Sequence, residues 1–250
     1  MRATLKAEIK KLLTVRSTYF IIAFSMVLLI FFAFYISGWH INKMDLHDPT
    51  TLATDVTSAI SVVSIFAALA AVLLMTHEYR YNTIMYTLTS SNSRSKVLLS
   101  KILVVSGFAI AFTLFFGILS PFVSLLGIHL HHLKLVPQTL HYSDLLWRGL
   151  FFGWGYSMAG LLLAALIRSQ IGTIIVLLVA PGTVESLLGL LLKQNVDYLP
   201  FSSLHVVIGQ GMGQYTNGLN PFHALLVFSA YLIVGWIVAW ILFLRRDATN

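Results

Sequence analysis

Glu185 is the one acidic residue within the long apolar runs of this 250-residue chain. A carboxylate in such a setting is costly, marks function by default and should have a partner. Arg148, at the start of a preceding apolar run, is within reach of it in a folded bundle, and Pro181-Gly182, one turn earlier, should loosen the local helix. Two readings stay open for Glu185. One is a gating or substrate-contacting residue, with Arg148 and Pro181 beside it; the other is a structural ion pair or a protonated acid near an interface. His129, His131, His132 and His141 gather in one polar stretch. HLHH followed by a distant histidine is not a zinc spacing, since a metal site needs three or four converging ligands with support behind them. A solvated His-rich loop is the simpler reading, and neither metal nor cofactor is expected. HExxH, GxSxG and paired intramembrane acids are all missing, and so is GxxxxGK[ST], so ATP cannot be held by a P-loop of this chain. There is no cysteine and hence no disulfide or thiolate chemistry.

A second cluster of chemistry-bearing residues is HEYRYNTIMYTLTSSNSRSKVLLSK, residues 77–101, where Glu78, Arg80, Arg94, Lys96 and Lys101 collect between two apolar runs. Tyr81, Ile84, Met85 and Leu88 recur at i, i+3, i+4 and i+7, one face of a helix, with Arg80, Thr83 and Thr87 on the other side. SSNSRS breaks the pattern, and Ser93 or Ser95 is placed to cap the helix that follows. A connecting loop has no reason to be a sided helix; a loop that docks on a partner does.

The elements that position these residues are membrane spans. Hydrophobic residues make up 58% of the chain, charged residues only 10%, and mean hydropathy is +0.84, against about 25% charged in a soluble domain. Six apolar segments emerge at residues 18–38, 57–76, 97–127, 145–167, 171–192 and 223–244, each long enough to cross about 30 Å of hydrocarbon. The third is overlong, and Pro121 should kink or end it. The net charge of +7 needs no nucleic acid to explain it. Twelve lysines and arginines fall on one side of the spans (Arg2, Lys6, Lys10, Lys11, Arg16, Arg80, Arg94, Lys96, Lys101, Arg168, Arg245, Arg246) and four on the other (Lys43, Lys134, Arg148, Lys193). The richer side is cytoplasmic by the positive-inside rule, which puts both termini and residues 77–101 inside.

Residues 1–17 place Leu5, Ile9, Leu12 and Leu13 opposite Lys6, Lys10 and Lys11, the pattern of a helix lying in the interface. The following apolar run is too long for a signal-peptide core and lacks a cleavage site, so the segment reads as retained. Residues 193–221 form a long, semi-apolar outer segment, expected as short helices that dip into the membrane and return, packed in protein. GQGMGQ within it is no nucleotide fingerprint and reads as a flexible turn. Gly149, Gly153 and Ser157 form a small-xxx-small row for close helix packing, either inside the bundle or at a dimer seam. The fold class is thus an all-α membrane protein in a single transmembrane domain.

This arrangement resembles, over essentially the whole chain, the permeases of type-2 ABC exporters. The family pattern after span two has an acidic residue, a basic residue, Gly-Thr, a leucine, a Ser-Arg pair and a lysine opening span three. Here these fall on Glu78, Arg80, Thr83, Leu88, Ser93 with Arg94, and Lys101. Asn82 stands where Gly is usual, and Asn92 where Pro is. The resemblance implies that residues 78–90 are a coupling helix, with Glu78, Arg80, Tyr81, Thr83, Ile84, Met85, Leu88 and Arg94 docking on a cytoplasmic ABC ATPase subunit present in two copies. It also implies ATP and Mg on that partner, a second permease chain (a homodimer or a paralogue), export as the direction, and a bacterial inner membrane. The chain itself would then be no enzyme. Two other functions remain: an intramembrane enzyme using Glu185 and the outer histidines, and an ion-coupled carrier with a broken helix near the midplane.

Overall fold

The computed structural model describes residues 2–34, 49–91, 93–130, 132, 136–137, 141–210 and 219–245. Lys43, Asn92, His131, Lys134, Arg246 and most of GQGMGQ lie outside the described residues, as do residues 35–38 of the first expected span. The described residues are mostly helical and contain no strand. Five helical segments are long and apolar enough to cross a membrane, and six if the bent pair at the N-terminus counts as one span.

That pair is α1 (Arg2–Thr14) and α2 (Arg16–Phe34), which meet at 57°. α3 (Thr51–Arg80) follows, then α4 (Ile84–Ser91) and α5 (Arg94–Leu130). α6 is Tyr142–Ile167. The next span, Gln170–Leu192, is interrupted: α7 (Gln170–Val179) passes through a π turn, Ala180–Val184, into α8 (Glu185–Leu192). A 3-10 turn, Lys193–Tyr198, leads to the short α9 (Pro200–Val207), and α10 (Pro221–Arg245) closes the described fold.

α3 and α6 form the most extensive helix pair, with α5 packed on both. Small side chains make this possible. Ala68, Ala71 and Val72 of α3 meet Phe152, Tyr156, Ala159 and Ala164 of α6 in one buried cluster. The Gly149–Gly153–Ser157 row faces this interior, which settles its role. A Cβ at Gly149 would stand 2.8 Å from Ile60 of α3, and one at Gly153 would collide with the Thr113 hydroxyl of α5. Buried Ser157 returns its hydroxyl to the Gly153 carbonyl at 2.8 Å.

Pro121 does not end α5, one of the two outcomes expected from its sequence; the helix runs nine residues beyond it. Proline removes the donor for the carbonyl four residues back, here Gly117. The Tyr142 hydroxyl of α6 donates to that carbonyl at 2.8 Å, and Ser120 reaches it at 3.3 Å. The same device recurs at Pro181, where Tyr156, also of α6, donates to the Leu177 carbonyl at 3.4 Å. There the helix does yield, by widening into the π turn.

Between α8 and α10, α9 is almost wholly buried and packs on α10 and α6. An eight-residue helix carried into the bundle must have its first N–H groups satisfied, and Glu185 does this, as described next.

Candidate functional site

At the basic end of the bundle, four charged side chains from α1, α3 and α5 converge. Lys101, on the second turn of α5, is 0% exposed. Its Nζ lies 2.8 Å from Glu8 of α1 and 2.9 Å from Glu78 at the end of α3, and it also approaches the Leu74 carbonyl at 3.4 Å. Lys11 of α1 pairs with Glu8 at 2.8 Å and with Glu78, and donates to the Thr87 hydroxyl of α4 at 3.4 Å. Two carboxylates face two ammonium groups, so the buried Glu8, Glu78 and Lys101 are electrically balanced with the help of the partly exposed Lys11, the condition under which buried charges are tolerated. Burial alone would lower the Lys11 pKa, but its hydrogen bonds to Glu78 and Glu8 outweigh that and hold it above its ordinary value. α1, α3, α4 and α5 are thereby fastened at one point.

Sequence reasoning missed Glu8. The signal was present: it is the one acidic residue among the first 44, set in an otherwise basic helix and three residues before Lys11.

The segment read as a helix over residues 78–90 is instead the end of α3, a tight turn, and α4. The turn is a Schellman motif. Thr83 N–H donates to the Glu78 carbonyl at 2.9 Å and Asn82 N–H to the Tyr79 carbonyl at 3.3 Å, with Asn82 at φ 53. That left-handed conformation suits Gly, and among other residues Asn adopts it most readily. Asn82 therefore does the work of the Gly that the resemblance leads one to expect.

The side chains expected on the docking face divide into two sets. Glu78 is interior, in the cluster. Ile84 is 2% exposed and Leu88 packs against the bundle core, so both hold α4 to its own chain rather than facing outward. The reason is that α4 lies on α5, and its apolar periodicity records that contact. Outward stand Tyr81 at 64%, Met85 at 43% and Tyr86 at 77% exposed; Tyr86 was not singled out from the sequence. Thr83 is exposed as well. The Arg80 guanidinium lies 5.6 Å from the Tyr81 ring centre and donates to Gln170 at 3.2 Å. Arg94 donates to the Leu244 carbonyl at 3.2 Å, tying the start of α5 to the end of α10.

Glu185 is not paired with Arg148. It accepts the backbone N–H of Phe201 at 2.8 Å and of Ser202 at 2.6 Å, plus the Ser202 hydroxyl at 2.6 Å. It thus caps the N-terminus of α9 from a different helix, where a carboxylate also meets the positive end of the helix dipole. Arg148 pairs with Asp144, one turn away on α6, at 2.6 Å. None of the hydrogen bonds to Glu185 comes from a histidine. His129, His132 and His141 are exposed, and among the described residues no group of three acidic or histidine side chains is placed to hold a metal. Pro181 is buried at the π turn.

Residues 4–193 match the family model described as "ABC-2 family transporter protein". The matched stretch runs from α1 to the end of α8, and includes the charge cluster, the turn after α3 and all of α4. No curated protein matches the chain.

Proposed function

The chain belongs to the ABC-2 family of transporter proteins, and on that premise we propose that it is the membrane-spanning permease subunit of an ATP-driven exporter. In this reading α4 is the coupling helix. It docks in a groove of a cytoplasmic ATPase subunit, which binds ATP and Mg. Two such subunits serve two permease chains, either two copies of this one or this chain with a paralogue. The basic end, with both termini, faces the cytoplasm of a bacterial cell, α1 lies in the membrane interface, and α2 is the first of six spans.

The observation that carries the reading is α4 itself. It is a short helix at the basic end that holds Ile84 and Leu88 inward while presenting Met85 and Tyr86 to solvent, with Tyr81 exposed in the turn before it. Aromatic and methionine side chains are what buried interface centres favour. At its base, the Glu8–Lys11–Glu78–Lys101 cluster joins α4 to α1, α3 and α5. A push on α4 from closing ATPase subunits is then passed to three helices at once, as a rigid-body displacement. Beyond them, the π turn at Ala180–Val184 is a place for the fifth span to bend, and Glu185 makes α9 follow α8.

Co-purification tests this reading. Met85→Asp with Tyr86→Asp places unpaired charge in the proposed interface without touching the bundle. A subunit bearing a P-loop should come down with the wild-type chain in mild detergent and be lost from the variant, at unchanged Tm of the chain. Equal recovery from both would remove α4 from the interface.

A further inference from the structure

A cavity of about 640 Å³ lies between α5, α6 and α10, lined by Ile102, Trp154, Met158, Trp236, Trp240 and Ile241 among others. Three of the five tryptophans of the chain gather there, and Ser229 is its one polar lining residue. Along α10 the groove extends from Ser229 to Ile241, about 18 Å at 1.5 Å per residue. One leaflet of hydrocarbon is about 15 Å deep. The groove therefore spans a single leaflet, the one at the basic end of the bundle.

That end is closed by cations. Arg245 stands one turn, about 6 Å, beyond Ile241. Lys96 is exposed on the first turn of α5. The Arg94 hydrogen bond to the Leu244 carbonyl holds the start of α5 against the end of α10, so the first turn of α5 and Arg245 lie at the same end of the groove. The N-terminal end of α5 adds the positive end of its dipole. Neither α5 nor α10 contains an acidic residue. An apolar slot of leaflet depth beneath a basic rim is complementary to one kind of molecule.

We propose that this groove is a specific site for an anionic phospholipid, with an acyl chain against Trp154, Trp236 and Trp240 and the phosphate at Lys96, Arg245 and the start of α5. The assignment does not depend on the role of α4. It requires only that the basic end lie at a membrane surface.

The tryptophans supply the readout. The full chain with Trp39→Phe and Trp147→Phe retains only the three groove tryptophans. It is reconstituted in phosphatidylcholine vesicles containing brominated phosphatidylglycerol or, at the same mole fraction, brominated phosphatidylcholine. The site predicts that the anionic lipid quenches as if bound about tenfold more tightly, as expected for a few basic contacts at a membrane surface. Lys96→Gln with Arg245→Gln should bring the two lipids within about twofold of each other, with Tm unchanged. Equal quenching by both lipids in the parent chain would reduce the groove to ordinary lipid contact and overturn the proposal. So would an anionic preference that survives the charge substitutions. Absence of quenching by either lipid would mean that a protein helix or a second copy covers the groove, and would overturn it too.

Discussion

Each of the three glutamates of this chain is buried, and each fastens one element to another. Removing a single partner of a buried ion group leaves charge uncompensated, at about 3–5 kcal/mol. Lys101→Ala leaves Glu8 and Glu78 to share the half-exposed Lys11 alone, and Tm in detergent should fall by about 10 °C. Lys101→Ala combined with Glu8→Gln should recover part of that loss. A Lys101→Ala variant as stable as wild type would contradict the cluster. Tyr142→Phe tests the proline device: the Gly117 carbonyl keeps only Ser120, and the cost should be about 1 kcal/mol. His205, on α9, is held below the ordinary imidazole value by burial, with a hydrogen bond to Gln210 working the other way. Its folded pKa lies below its unfolded one, so its contribution is fully present above about pH 6.5 and is lost as pH falls through and below that value. Tm should be flat from pH 7.5 to 8.5 and decline on acidification, with His205→Gln flattening the decline. At this scale the sequence announced costly residues but not their partners. Glu185 was legible as a buried carboxylate needing a partner. Its partners are two backbone N–H groups of α9 and the Ser202 hydroxyl, and a helix N-terminus as partner is not revealed by a side-chain pattern. Glu8 and Lys101 are 93 residues apart, and only the packed bundle brings them together.

At the scale of elements, the apolar runs mark the membrane-crossing helices because hydrocarbon leaves the backbone no alternative but helix. The helices overrun those runs, since their ends continue past the apolar core; α5 extends from Arg94 to Leu130 around an expected 97–127. Periodicity was less decisive for α4. It correctly indicates one apolar face but not what that face meets, and Ile84 turned out to meet its own chain. Close packing is also testable here. Gly153→Ala forces its Cβ into Thr113 and should cost about 1–3 kcal/mol as overpacking. Thr113→Ala in the same chain should relieve most of it. A double variant no more stable than Gly153→Ala alone would mean that α5 and α6 do not approach as closely as described. Asn82→Gly should be nearly neutral and Asn82→Val destabilising, because only the latter opposes the left-handed turn.

For the whole molecule, the proposed transport cycle joins two features at opposite ends. The charge cluster ties α1, α3, α4 and α5 into one unit at the basic end, and in the proposed cycle the fifth span, bending at the π turn and carrying α9 through Glu185, moves as another. ATP closure would drive the first unit and the second would answer. Because the chain contains no cysteine, paired spin labels can be introduced without background. The measurement that decides most directly uses exposed Thr89→Cys on α4, labelled in both permease chains of the complex with its ATPase, and a second sample labelled at Lys6→Cys and Thr89→Cys within one chain. On binding ATP and Mg, the α4-to-α4 distance should shorten while the α1-to-α4 distance within a chain stays constant. An α4-to-α4 distance that does not change while ATP is turned over, or an α1-to-α4 distance that opens as it does, would contradict coupling through α4 as part of a rigid unit.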